Sequence, residues 1–275
     1  MKALRIVAAC SAAFGLLAAA QPAQAVTYGE LDGDGHPYVG LLIFDQGGGP
    51  AWRCTGTLLA PRVVLTAGHC TYGAEAARIW FEADVSDRDA TGYPYSGGTS
   101  IEAIDILTHP DYVPGAFFLH DLGVVILSEP VAMDEYGMLP PLDVLDGLAT
   151  QRGLQNQLFN PVGYGLQSVK PVYQADRIRY TGDVMMIGIK GTAGIPEGSS
   201  VLFSNGPGQK ATGGTCFGDS GGPIFWYGTN TIVAVTSFGL NQNCKGTGGG
   251  YRIDQADDQA LIYEVLRVVG EAFPD

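Results

Sequence analysis

Positive charge is scarce in this chain, with 15 Lys and Arg against 28 Asp and Glu and a net charge of −13. Nucleic-acid binding needs clustered Lys and Arg to meet phosphates, and no such cluster occurs, so that class of function is excluded. Beyond residue 20 no run of eighteen apolar residues exists, which leaves no segment long enough for a membrane-spanning helix. Heptads, collagen-like periods and long polar tracts are missing as well, ruling out coiled coils, fibres and disorder. Zinc has little support in the pattern, because no Cys-x-x-Cys pair exists and no two His lie four residues apart.

What is present points elsewhere. Gly is abundant, at 40 of 275 residues, charged residues are few, and short apolar runs recur between Gly, Pro, Asn and Asp clusters. Tyr38–Phe44, Arg62–Thr66, Leu122–Leu127, Ile224–Trp226 and Thr231–Thr236 read as strands of an all-β protein. Near the C-terminus Leu261, Ile262, Val265, Leu266 and Val269 repeat at helical spacing, and Asp257 or Asp258 is placed to cap that helix. Residues 1–25 read as a secretory signal peptide: Lys2 and Arg5, then an apolar stretch from Ile6 to Ala20, then Ala23-Gln24-Ala25 as a cleavage site. The expected product is secreted, with no membrane attachment after cleavage. Losing this leader removes Lys2 and Arg5 but no acid, so −13 becomes −15, and Cys54, Cys70, Cys216 and Cys244 remain. Four cysteines in an exported chain read as two disulfides, with three pairings open.

Gly218-Asp219-Ser220-Gly221-Gly222-Pro223 carries the strongest chemical signal. A serine hydroxyl attacks at neutral pH only when a base takes its proton, and the adjoining glycines let backbone N–H groups approach a developing oxyanion. The amides of Gly218 and Ser220 are the candidates for that role. The same letters fit the Gly-x-Ser-x-Gly elbow of lipases, but that arrangement needs its His after the Ser, and the last His here is His120. Among the four histidines, His69 in Leu65-Thr66-Ala67-Gly68-His69-Cys70 sits where a strand ends in a turn of small residues, and is the expected base. His36 and His109 each precede Pro and read as surface residues; His120 reads as a neighbour of the orienting acid. Asp121 opens the apolar run Leu122–Leu127, which carries it inward as that acid.

Three separated motifs, Thr66–Cys70, Asp121–Val125 and Gly218–Pro223, stand in the chain order of the trypsin/chymotrypsin-like serine endopeptidases, and the sequence resembles that family. Val162-Gly163-Tyr164-Gly165 and Ser237-Phe238-Gly239 echo its Gly-Trp-Gly and Ser-Trp-Gly segments. The resemblance implies two six-stranded antiparallel β-barrels with a C-terminal α-helix. It divides the mature chain into an N-terminal lobe over residues 26–140, carrying His69 and Asp121, and a C-terminal lobe over residues 141–275, carrying Ser220. It also implies the pairs Cys54–Cys70 and Cys216–Cys244, an acyl-enzyme mechanism on a protein or peptide substrate, no metal or organic cofactor, and a monomer.

Departures from the family pattern shape further expectations. Members typically begin with Ile-Val-Gly-Gly, whose freed ammonium pairs with the acid before the serine, here Asp219. This chain offers Val26-Thr27-Tyr28-Gly29 after the expected leader cleavage, so signal peptidase itself would create the activating end. The alternative is an internal cationic partner for Asp219. The substrate pocket is expected from Gly214, Thr215, Ser237, Phe238 and Gly239. Gly214 stands at the position of the pocket floor, without a carboxylate for Lys or Arg, which disfavours trypsin-like cleavage. Gly239 and Gly248–Gly250 suggest open walls for a large apolar side chain. Asp32-Gly33-Asp34-Gly35 reads as a turn rather than a calcium loop, because further ligands do not follow. A catalytically inactive binding protein of the same fold is the competing reading.

Overall fold

Leu42 and Phe44 face one apolar cluster with Val64, Val124 and Ile79, whereas Leu41 and Ile43 face another with Trp80, Val85, Tyr93 and Tyr164. Alternate residues of one strand thus enter different cores, which is why this run is apolar throughout rather than alternating. The structure, a computed structural model, describes residues 26–116, 118–149, 153, 157–191, 194–206 and 213–273. The leader expected over residues 1–25 lies outside the described residues. After a two-residue strand β1 (Glu30–Leu31), the first barrel is built from β2 (Val39–Gln46), β3 (Gly49–Ala60), β4 (Val63–Thr66), β5 (Ala76–Trp80), β6 (Ile101–Thr108) and β7 (Gly123–Leu127). These strands close in the order β2-β3-β4-β7-β6-β5, every pair antiparallel, with β5 returning to β2.

The second half contributes β8 (Leu158–Gly163), β9 (Tyr180–Thr181), β10 (Val184–Gly188), β11 (Ser200–Asn205), β12 (Pro223–Trp226), β13 (Ile232–Gly239) and β14 (Gly246–Arg252). Six of them run β8-β10-β11-β14-β13-β12, and β12 pairs back onto β8 to close a second barrel. The protein is therefore all-β, two six-stranded antiparallel barrels, as expected. β9 extends this sheet from β8 and takes β1 as its partner, so the start of the described chain is held by the second barrel.

Helices are few. α1 (Gly68–Thr71) and α2 (Arg88–Thr91) are single turns, α3 (Val144–Ala149) is short, and α4 (Ala256–Val269) closes the chain. Ile262, Val265 and Leu266 of α4 are buried, as the spacing predicted. Its cap differs from expectation: Gln255 occupies that position without a side-chain bond, and Asp258 turns inward to accept from the Tyr251 hydroxyl at 2.9 Å. The Asp32–Gly35 turn is present, closed by Gly35 N–H on the Asp32 carbonyl at 2.9 Å. Asp32's carboxylate is taken by Arg179 at 2.8 Å and by His36, with Arg179 and Asp32 both 1% exposed. Arg179 also donates to the carbonyls of Val39 and Phe81, tying the second half of the chain to the first barrel.

Candidate active site

β4 is buried along its whole length and pairs with β7 through Leu65 opposite Val124 and Thr66 opposite Gly123. That register sets the turn after β4 beside the start of β7, and so brings His69 to Asp121. Asp121 Oδ2 lies 2.8 Å and Oδ1 3.1 Å from His69 Nδ1, while Oδ1 also accepts the His69 backbone N–H at 2.7 Å. Ser237 donates its hydroxyl to Oδ2 at 2.5 Å. Asp121 is fully buried and the His69 side chain is 26% exposed, so the acid is sealed while the ring reaches the surface. An ionised carboxylate only accepts, so a neutral imidazole paired with one in this geometry carries its hydrogen on Nδ1 and leaves the Nε2 lone pair free. The Cys54–Cys70 disulfide ties this turn to β3, and Trp52 Nε1 donates to the Cys70 carbonyl at 2.8 Å.

The serine turn docks against the same strand ends. Thr55 N–H donates to the Ser220 carbonyl at 2.8 Å, and the Thr55 hydroxyl donates to the Gly218 carbonyl at 2.9 Å. A Cβ on Gly221 would stand 2.0 Å from Thr66 Oγ1 and 2.8 Å from Ala67 N, so this contact closes only around glycine. Ser220 is thereby fixed next to the segment that leads into His69. Within the turn, the amides of Asp219, Gly221 and Gly222 are spent on the carbonyls of Cys216, Thr236 and Asp219. Gly218 adopts φ +98°, a conformation that favours glycine.

Asp219 is completely buried beneath this turn. Gly165 N–H donates to its Oδ1 at 2.8 Å and Cys216 N–H to its Oδ2 at 2.9 Å. Side chains at positions 163 and 165 would occupy its carboxylate, their Cβ atoms falling within 2.3 and 2.4 Å of it, which gives Gly163-Tyr164-Gly165 a physical reason. Burial pushes the carboxyl up to about 6, with the Cys216 and Gly165 amides and then the Arg53 charge pulling it back. Arg53, which the sequence did not single out, lies against Gly218: a Cβ there would stand 3.0 Å from its Nε. Val26 is fully buried, and Thr27 bridges to Gly214 and donates its hydroxyl to the Gly214 carbonyl at 3.1 Å. The residues following the expected cleavage point are thus docked on the lobe that holds Asp219.

A cleft of about 250 Å³ opens beside Ser220, lined also by Thr215, Cys216, Phe217, Ser237, Phe238 and Gly239, with Asn241 and Gln242 at its edge. Gly214 is absent from that lining. It is covered by Asn205, whose amide takes the Thr215 N–H at 2.6 Å and returns a bond to the Thr215 carbonyl at 2.8 Å. The second disulfide, Cys216–Cys244, joins two walls of the cleft. The expected openness of the glycine walls holds only in part. A Cβ at Gly239 would meet nothing nearer than 3.6 Å, but one at Gly249 would fall 2.1 Å from the Phe238 ring. The missing side chain at Gly249 makes room for Phe238. His109, expected at the surface, is 5% exposed, and His36 is half-buried, stacked on Phe225 at 5.1 Å.

Comparison with known proteins agrees with this architecture. The sequence model of the trypsin family matches residues 30–256. A brachyurin from Leptuca pugilator is 30% identical over 217 residues, covering 76% of this chain and 84% of its own. A trypsin from Saccharopolyspora erythraea is 30% identical over 231 residues, covering 78% and 87% respectively. A solved collagenase structure superposes with a TM-score of 0.68 at 20% identity, over 90% of this chain and all of its own, a likeness of fold.

Proposed function

Since this chain belongs to the trypsin family and is a serine endopeptidase, we propose that it cleaves peptide bonds with His69, Asp121 and Ser220 as its catalytic triad. The observation that carries the assignment is the sealed Asp121 carboxylate gripping His69 through both Nδ1 and the backbone N–H. That grip fixes the tautomer whose Nε2 takes the Ser220 proton as Oγ attacks the substrate carbonyl. Asp121 stabilises the imidazolium, and the amides of Gly218 and Ser220 hold the oxyanion. His69 next gives the proton to the leaving amine, and a water activated by the same ring releases the acyl group from Ser220. An inactive binding protein has no need of this arrangement.

The cleft sets the specificity. Among the described residues no carboxylate lines it, and its walls are Phe217, Phe238, Asn241, Gln242, the Cys216–Cys244 bridge and small residues, so the preferred side chain at the scissile bond is apolar rather than basic. The chain is exported by residues 1–25, and cleavage before Val26 frees an ammonium that pairs with Asp219 and completes the oxyanion hole. Burial of Val26 and Thr27 against the second lobe supports this. Incubating the secreted protein and its Ser220→Ala variant with a diverse peptide mixture, then mapping the cuts by mass spectrometry, tests the reading. Ser220-dependent cuts after apolar residues are expected. Cuts after Lys or Arg would overturn the specificity, and no cuts at all would favour the binding protein.

A further inference from the structure

His120 directly precedes Asp121, and behind it lies a second cluster of ionisable side chains that catalysis does not use. The rings of His109, just after β6, and His120 stack with centroids 4.7 Å apart and planes at 17°. Asp258, in the first turn of α4, turns its carboxylate to the same point, Oδ1 lying 3.7 Å from His109 Nε2. One ligand atom from each of His109, His120 and Asp258 falls within 4.8 Å of the others. Asp258 is fully buried, yet its Oδ1 has no hydrogen-bond partner among the described residues, and neither has the buried His120 Nδ1. Two unpartnered buried polar atoms in one cluster are costly in a folded protein unless something satisfies them.

We propose that His109, His120 and Asp258 form a binding site for a divalent transition-metal cation of the Zn²⁺ class, placed to regulate the active site. Two imidazoles and a carboxylate are a zinc-type donor set, whereas Ca²⁺ takes six to eight oxygens. Zinc–ligand bonds of about 2.0–2.2 Å need donors somewhat closer together than here, so binding draws the three side chains inward. Asp257 Oδ2, 3.8 Å from His120 Nδ1, or a water takes the fourth position. His109 is the reluctant ligand. Its Nδ1 accepts the Asp111 N–H at 3.1 Å, which leaves the ring hydrogen on Nε2, facing the site. Coordination through Nε2 moves that hydrogen to Nδ1, which gives up the Asp111 bond, so His120 and Asp258 are the principal anchors.

The consequence for activity runs through the backbone. His120 adopts φ +49°, unusual for a residue with a side chain, and its carbonyl accepts the Leu122 N–H across Asp121 at 2.8 Å. Pulling the His120 ring toward Asp258 therefore twists the peptide that carries Asp121 and loosens its hold on His69. This effect, unlike the site itself, rests on the proposed triad.

Full-length secreted protein carrying Ser220→Ala, which cannot digest itself, is titrated calorimetrically with Zn²⁺. One equivalent is expected to bind. Asp258→Asn, which can still accept from Tyr251, and His120→Gln are each expected to weaken binding at least tenfold, while His69→Ala leaves it intact; near-UV circular dichroism confirms that each variant folds. No binding to Ser220→Ala would overturn the site. So would binding abolished by His69→Ala and kept by the other two variants, since the metal would then sit on the catalytic imidazole. In the active enzyme, Zn²⁺ is expected to inhibit ester turnover at least tenfold more strongly than in His120→Gln. Equal inhibition would overturn the regulatory role. A wild-type protein without any turnover would refute the triad, and the calorimetry would still decide the site.

Discussion

At the residue scale, the proposed chemistry depends on two carboxylates buried for opposite ends. Asp121 is surrounded by donors: the His69 ring and backbone and the Ser237 hydroxyl all point at it. Asp121→Asn, which removes the charge and favours the wrong imidazole tautomer, is expected to lower kcat about 10⁴-fold at neutral pH. Ser237→Ala deletes a single bond to the charged acid and is expected to lower kcat about tenfold with little change in KM. Steady-state kinetics on a peptide ester reads both. Among the described residues Asp219 accepts from two amides and feels the Arg53 charge, yet burial raises its carboxyl from 3.8 to about 6. Between those values the fold holds a proton that the unfolded chain has lost, so stability falls as pH rises and the penalty is complete above about 6. It amounts to about 3 kcal/mol. In Ser220→Ala protein with an extra Ala before Val26, urea unfolding is expected to show this decline between pH 4 and 6. The same protein beginning at Val26 is expected to escape most of it, because its ammonium pairs with Asp219. Superimposable pH curves would contradict the pairing.

Among the elements, those legible in the sequence were the ones whose signal is local. β4 and β7 announced themselves as apolar runs, and the triad candidates sit at their ends, so His69 and Asp121 could be named before their contact was seen. α4 was legible from its 3.6-residue repeat, but its cap was not. Whether Asp257 or Asp258 caps or turns inward depends on Tyr251, a neighbour supplied by β14. The role of Asn205 behind Gly214, the Phe238 ring over Gly249 and the burial of His109 were hidden for the same reason. Each arises where strands distant in sequence meet, and no periodicity records it. Cysteine spacing left three pairings open, and the fold settles on Cys54–Cys70 and Cys216–Cys244. Replacing Cys54 and Cys70 together with Ala is expected to destabilise the protein by about 3 kcal/mol in urea unfolding. Turnover should fall as well, because that bridge braces the turn bearing His69; the Cys216 and Cys244 double replacement should instead raise KM by loosening the cleft walls.

For the molecule as a whole, two closed barrels divide the labour. The first positions an imidazole and its acid, and the second presents the serine turn over a buried aspartate. Contacts such as Thr55 with Ser220 and Gly218, and Arg179 with Val39 and Phe81, lock the two halves into register. The architecture was legible as a class from turn-separated apolar runs, whereas closure of the second barrel through β8 and β12 is a long-range fact. The central claim is that His69 activates Ser220. A serine-directed sulfonyl fluoride, followed by peptide mapping in the mass spectrometer, tests it most directly. The account predicts stoichiometric labelling at Ser220 in the wild-type protein and labelling at least a thousandfold slower in folded His69→Ala. Labelling at another residue, or undiminished labelling of Ser220 without the imidazole, would contradict it.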